Sequence, residues 1–459
     1  MATKTLAAWA VGLQYHSLSP QVVDAAVRSF YNWSGCAIGG ARHPGALIAR
    51  KALSPFAGAP TSSVLGCPEL HDAQSAALFN GIASHIHDYD DTHLDTIIHP
   101  TGPVASALLA VAEWKSVGGR DFILALVAGV EAECKAGLAV WPDHYDVGWH
   151  ITSTAGSIGA AVAVGKMLKL DIEQMQWAIG IAATQVTGLR EQFGSMTKSF
   201  HPGRAAQNGL LAAVLASNGY DSSLQALEAK RGWANVVSTS NDIDALMQGL
   251  GKAWEIEKNS FKPFPCVMVT NGWQGIVIHP IIDGCIQVNK AVLASRDEKD
   301  AAADVSRIQK VEVSVHPLVL ELTGKKYPKT GLEGKFSVYH SAAVGLLYGK
   351  ATPAQYEDTV VQDSAVIALR DKVNATIDSN LRPDEAHVKV EFTDGSVQEK
   401  HVGHAVGSLE VPMTDSQLEE KFLDQCAPVL GHEKANEASR ALRKLQDVED
   451  MAQLTSILR

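Results

Sequence analysis

Apolar residues recur at helical spacing through most of the first 260 positions of this chain. Ser19-Pro20 predicts an N-cap and first turn, and Val22, Val23, Ala26, Phe30 and Trp33 then fall on one helical face. Val104–Trp114, Phe122–Val140, Thr152–Leu168 and Ile172–Leu189 continue the pattern, several of them apolar nearly all round, as in the middle of a bundle. The Thr152 stretch carries Ala155, Gly156, Gly159, Ala160 and Ala161, small enough for backbones to approach closely. Arg204–Ser217 predicts another helix, ended by Asn218-Gly219.

After about residue 262 the period changes. Lys310–Val315 alternates like a strand, and His387–Phe392 and Ser396–Val402 flank an Asp-Gly turn, which predicts a hairpin. Ala351–Asp363 and Asp363–Val373 read as helical, and from Thr414 the chain returns to helix through Leu418, Phe422 and Cys426 and on to Glu433–Leu458. The expected fold is mainly α. Both chain ends (1–265 and 406–459) form a large all-helical domain, and 266–405 forms a smaller α+β lid domain. The charged Ser295–Asp304 stretch reads as a solvated face or loop.

Composition narrows the function. With 459 residues, the chain exceeds one ordinary core. Its formal net charge is −11 and it has no basic run, which points away from nucleic acid and anionic membranes. The six cysteines are scattered without a C-x-x-C pair, which fits a reducing compartment. Leu6–Leu13 reads as an amphipathic first helix rather than a signal peptide, no apolar run approaches a membrane span, and Ser-Ile-Leu-Arg is not a peroxisomal tripeptide. A cytoplasmic location is the expectation.

Chemistry concentrates in His85–Pro100. Four histidines (85, 87, 93, 99) and four aspartates (88, 90, 91, 95) fall within fifteen residues between two apolar helices. Imidazoles that titrate near neutrality, held by carboxylates, suit proton transfer. The same residues could instead centre a metal-dependent hydrolase around His87-Asp88, or serve as helix caps. Three further segments add groups suited to anions. His150 precedes the Thr152 helix, where N–H groups and the dipole favour an anion, although it could equally cap that helix. Lys198 and Arg204 are expected to flank a turn and face one pocket. Lys262 is held between residues of Phe261-Lys262-Pro263-Phe264-Pro265-Cys266, whose prolines fix the backbone.

Together these segments resemble the MmgE/PrpD family, which includes 2-methylcitrate dehydratase, cis-aconitate decarboxylase and iminodisuccinate epimerase. HDYDDTH…HPTGPVASALLAVAE, GWHITSTAGSIGAAVAVGKMLKL, TKSFHPGRAAQNGLLAA, FKPFPC with HPIIDG, and GLEGKFSVYH carry the resemblance, in that order. It implies a site between the two domains, a homodimer, and chemistry with no metal or other cofactor. Site residues implied by position are Asp88 and Thr92 in the DxxDT pattern, His99 before Pro100, His150 and Lys198, with Lys262 and His279 approaching from the lid. The chain departs from the family text at Val267–Gln274, expected to be an inserted loop, and at Leu322, near where the decarboxylase type places a tyrosine. A small di- or tricarboxylate is the expected substrate. Dehydration of 2-methylcitrate or a related alkylcitrate is the leading expectation, with decarboxylation of cis-aconitate or epimerisation of a substituted succinate as alternatives. In the expected scheme Asp88 and His99 abstract a proton, His150 assists the leaving group, and Lys198 and Arg204 neutralise carboxylates.

Overall fold

The computed structural model describes residues 1–266, 277–293 and 306–459. The Val267–Gln274 segment and the charged Ser295–Asp304 stretch lie outside the described residues. The described chain divides into two compact units, Met1–Phe261 with Asp415–Arg459, and Lys262–Thr414.

The first unit is a helical bundle. Its Pro20–Gly40 helix starts where Ser19 Oγ accepts the Val22 N–H at 3.2 Å and Pro20 takes the first turn. The helices Gly119–Val140 and Ile151–Met167 are buried along almost their whole length. They touch at small residues: a Cβ added to Gly129 would lie 2.8 Å from the Gly159 carbonyl and 2.7 Å from Ala163 Cβ. The C-terminal helix Asp415–Leu430 returns to this bundle, with the Phe422 ring tilted against Tyr31 at 4.7 Å between centroids.

Three elements differ from the sequence reading. The Ile172 helix stops at Ala183 rather than Leu189. The helix expected from Arg204 begins at Thr197 and runs through Pro202. A proline in the sixth position removes only the bond that would reach the Lys198 carbonyl, so it interrupts the ladder near its start without ending the helix. The helical stretch expected over Ala351–Asp363 is a 3₁₀ turn, Pro353–Tyr356, and a short helix, Asp358–Val361, separated by an extended Glu357.

The second unit is built on a four-stranded sheet in the order Val373–Ile377, Ile308–Val315, Ala386–Phe392, Val397–Val402. The first pair is parallel and the others antiparallel. Gly395 turns the hairpin at φ 83°, a conformation that favours glycine. Val388, Val390 and Phe392 point into an apolar core with the helices His279–Leu293 and Val338–Tyr348. His387, Lys389 and Glu391 alternate with them on the other face.

Two carboxyls sit in the helical core on Gly119–Val140. Burial pushes Glu131 up to about 8, against the opposing pull of the Ile256 N–H at 2.9 Å. Burial and the nearby Asp91 charge push Glu133 well above the usual carboxylate range, and neither of its oxygens has a hydrogen-bond partner among the described residues. A carboxyl with a raised folded-state pKa is protonated in the fold and ionised in the unfolded chain above about pH 4.5. Stability is therefore fully present below that pH and is lost as pH rises through the folded value. E133Q removes this proton uptake. Its melting temperature relative to the wild type should be higher at pH 8 than at pH 5, the relative unfolding free energy growing by at most about 1.4 kcal/mol per pH unit. Equal gains in melts at the two pH values would show that Glu133 is not held neutral.

Candidate active site

The Ala73–His85 helix ends at the histidine-rich segment, where the chain turns sharply: the Asp88 N–H donates to the His85 carbonyl at 3.0 Å and Asp88 takes φ 54°. Left-handed backbone is uncommon outside glycine, and aspartate is among the residues that tolerate it best. The reversal returns Asp90 to the helix end, where its Oδ2 lies 2.7 Å from His85 Nδ1. The next residues form a short strand, Asp91–His93, paired with Asn259–Phe261. Asp91 then anchors the start of the following helix, accepting from the Thr101 backbone N–H at 3.2 Å and from Asn259 Nδ2 at 2.6 Å. Burial and the neighbouring Asp90 still raise the Asp91 carboxyl to about 6.

Several contacts fix His99, among them Asp90 Oδ1 at 3.5 Å from its Nδ1. Its Nδ1 donates to the Asp91 carbonyl oxygen at 2.7 Å and lies 3.2 Å from Thr92 Oγ1, and its backbone N–H reaches Thr152 Oγ1 at 3.2 Å. The carbonyl sets the Nδ1–H tautomer, so Nε2 is the basic atom of the neutral ring. The His85 and His99 rings lie 4.8 Å apart.

His150 is the N-cap residue of the Ile151–Met167 helix, yet its side chain makes no cap bond. Its Nδ1 lies instead 2.9 Å from Nδ1 of His201, so one of the two rings must supply the proton between them. Burial holds His150 well below the usual imidazole range, helped by the charges of His85, Lys198, His201 and His99. His201 is lowered to about 4, again chiefly by burial. Phe193 packs edge-on against His150 at 5.0 Å, with the Lys198 ammonium 5.3 Å from the same ring. Lys198 Nζ is 2.8 Å from Asp88 Oδ2, both side chains largely shielded at 16% and 12% exposure.

Close helix packing brings these two partners together. A Cβ on Gly81 would lie 2.4 Å from Gly203 Cα, and one on Gly203 would lie 2.4 Å from the Leu78 carbonyl. The Ala73–His85 and Thr197–Ser217 helices therefore meet backbone to backbone, which sets Lys198 opposite the Asp88 turn.

The donor atoms of His85, Asp88, Asp90 and His99 lie within 4.8 Å of one another, a grouping that could ligate a metal. Its carboxylates already have partners in the chain: the Lys198 ammonium sits on Asp88, and His85 Nδ1 lies 2.7 Å from Asp90 Oδ2. His93, Asp95 and Glu255 make a second such group, bridged by two ammoniums. Lys135 meets Glu255 at 2.5 Å, and Lys258 meets Glu255 at 2.9 Å and Asp95 at 3.3 Å. His93 thus ties the site strand to the bundle through Glu255 at 3.0 Å and Thr96 at 2.8 Å.

Residues 4–246 match the MmgE/PrpD N-terminal domain, and residues 274–447 match the MmgE/PrpD C-terminal domain. The chain belongs to the MmgE/PrpD family. A cis-aconitate decarboxylase-like protein, oryM, of Aspergillus oryzae is 26% identical, the match covering 99% of this chain and 97% of that one. Human cis-aconitate decarboxylase is 25% identical, over 100% and 94%. The 2-methylcitrate dehydratase of Salmonella typhimurium is 26% identical over 54% of this MmgE/PrpD chain and 52% of its own.

Within this family member, the structure brings Asp88, Thr92, His99, His150 and Lys198 into one neighbourhood of the first unit. Arg204 is not with them: it is exposed and reaches Gln207 at 2.5 Å. The expected turn between Lys198 and Arg204 is helix, and six residues at 100° each carry Arg204 to another face. Lys262 and His279 belong to the second unit, His279 as the first residue of the His279–Leu293 helix. Leu322 lies in the Pro317–Thr323 helix of that unit, beside Leu320 and Phe336 at a surface pocket. Sequence reasoning assigned no role to His201, Asp90 or Phe193. His201 stood in the TKxxHxG pattern, and three residues from Lys198 on a helix it shares a face with it. Among the described residues no helix is long and apolar enough to cross a membrane.

Proposed function

We propose that this protein is a lyase for a small di- or tricarboxylate, releasing carbon dioxide from a cis-aconitate-like acid. The observation that carries the reading is the shielded Lys198–Asp88 pair beside two imidazoles held neutral, His150 and His201. An ammonium at such a place meets a carboxylate and the charge that develops next to it. Neutral imidazoles keep the site ready for an anion, because a bound polycarboxylate raises the proton affinity of rings beside it. The cis-aconitate decarboxylases it resembles match end to end, whereas the dehydratase match covers about half, which favours decarboxylation.

In this reading the bond between the substrate carbon and one carboxylate breaks, and carbon dioxide leaves without the electron pair. The pair spreads over the adjoining double bond toward a remaining carboxylate, where Lys198 neutralises it. A proton from the His150–His201 pair or from His99 then closes the new C–H bond. No electrons are gained or lost overall, so no redox partner is required. Thr92 orients His99, and Lys262 and His279 are proposed to hold the substrate's far carboxylates.

Dehydration of 2-methylcitrate or another alkylcitrate is the second reading, favoured by Leu322 in place of the decarboxylase-type tyrosine. It uses the same residues in a different order: a base takes the proton beside a carboxylate, and an acid protonates the departing hydroxyl. A substrate panel followed by proton NMR separates the two. Loss of carbon dioxide from cis-aconitate supports the first reading and loss of water from 2-methylcitrate the second. Inactivity of folded protein on every acid of both series would overturn both.

A further inference from the structure

On the solvent face of the second unit's sheet, two histidines stand opposite each other. His387 on Ala386–Phe392 and His401 on Val397–Val402 are direct cross-strand partners, both exposed, with rings stacked 4.2 Å apart at 15°. Glu385, one residue before the strand, places Oε1 2.6 Å from His401 Nε2. The ligand atoms of all three lie within 4.8 Å of one another. None of the three is among the residues of the candidate active site.

We propose that Glu385, His387 and His401 form a binding site for a divalent transition-metal ion of the zinc type. Two neutral imidazoles and one carboxylate are a common three-ligand zinc set, with solvent completing the fourth position. The separations fit after small rotations. Tetrahedral ligands at zinc bond lengths lie about 3.3 Å apart, so the Glu385–His401 contact widens slightly as the metal replaces the proton held between Oε1 and Nε2. The stacked rings must tilt so that their lone pairs converge, and as exposed side chains they can do so without disturbing the core. The sheet contributes the rest: paired strands fix the two Cα positions, so little backbone order is lost on binding. The donors favour zinc, nickel or copper over calcium or magnesium, which prefer all-oxygen shells. Around the site, His404 Nδ1 is engaged by Asp384 at 2.8 Å, and Arg382 donates to the Gly403 carbonyl at 2.7 Å. Arg382 also holds the other carboxylate oxygen of Glu385, by its backbone N–H at 3.2 Å and its guanidinium at 3.5 Å, which leaves Oε1 as the atom offered to a metal. Asp384 and Glu410 add negative charge beside it, Glu410 at 3.7 Å from His404.

The test titrates full-length protein with zinc chloride against a chromophoric chelator, comparing wild type with H387A, H401A and E385Q. One zinc per chain is expected in the wild type, with binding weakened about tenfold or more in each histidine variant. Affinity should fall between pH 7.5 and pH 5.5, because the imidazoles must give up protons to bind. Melting temperature and lyase activity without added metal should match the wild type in all three variants, which separates loss of the site from loss of fold. Calcium chloride should neither compete nor shift the melting temperature. Zinc binding that is absent from the wild type, or unchanged in both histidine variants, overturns the proposal; the latter would place the metal at His85, Asp88, Asp90 and His99 instead.

Discussion

Replacing Lys198 with alanine is expected to lower kcat/KM by about 10²–10³, the effect of removing one charged group from a developing anion. The structure adds a second consequence. Asp88 sits at 12% side-chain exposure against the Lys198 ammonium, and without it the carboxylate has lost its charged neighbour in a shielded setting. K198R restores charge but replaces a point donor with a planar fork, so it should recover only part of the activity. Steady-state kinetics with circular dichroism and a thermal melt on each variant check this. A folded K198A enzyme with kcat/KM within a few-fold of wild type would remove Lys198 from the reaction.

His150→Phe should have an effect of similar size by a different route. Phenylalanine keeps the aromatic packing against Phe193 but can neither hold nor pass a proton, so kcat should fall by about 10²–10⁴ while KM changes less. His201 loses its hydrogen-bond partner, the Nδ1 atom 2.9 Å away, at the same time. H201F should therefore reproduce part of the loss, and the double variant should lose less than the two effects combined, as two groups acting as one unit do. Additive losses would show instead that the two histidines act separately. An unchanged kcat in folded H150F would assign the proton to His99.

Much of the helical architecture was legible because burial imposes a period. Phe122–Val140 and Thr152–Leu168 are apolar nearly all round, and the structure buries the helices Gly119–Val140 and Ile151–Met167. The Asp394-Gly395 turn announced its hairpin because a positive φ needs glycine. The start of the Thr197 helix was not legible. Pro202-Gly203 reads locally as a breaker, but proline near a helix start costs a single bond, and Gly203 is there for its contact with the Ala73–His85 helix. That misreading carried Arg204 toward a pocket it does not face.

The sequence by itself determined the chemistry available. A dense run of histidine and aspartate, a histidine before a small-residue helix, and a lysine in a TKxxHxG setting are residue types in order, and they mark the family and the kind of site. Only the tertiary structure decided which of them meet. Asp88 and Lys198 are 110 positions apart and come within 2.8 Å because Gly81 and Gly203 let two backbones touch. His150 and His201 share a proton, and His85 lies beside Asp90 and His99. The physical reason is that side-chain identity is local, whereas burial and proximity come from packing between distant elements. Those two quantities hold His150 and His201 below the usual imidazole range.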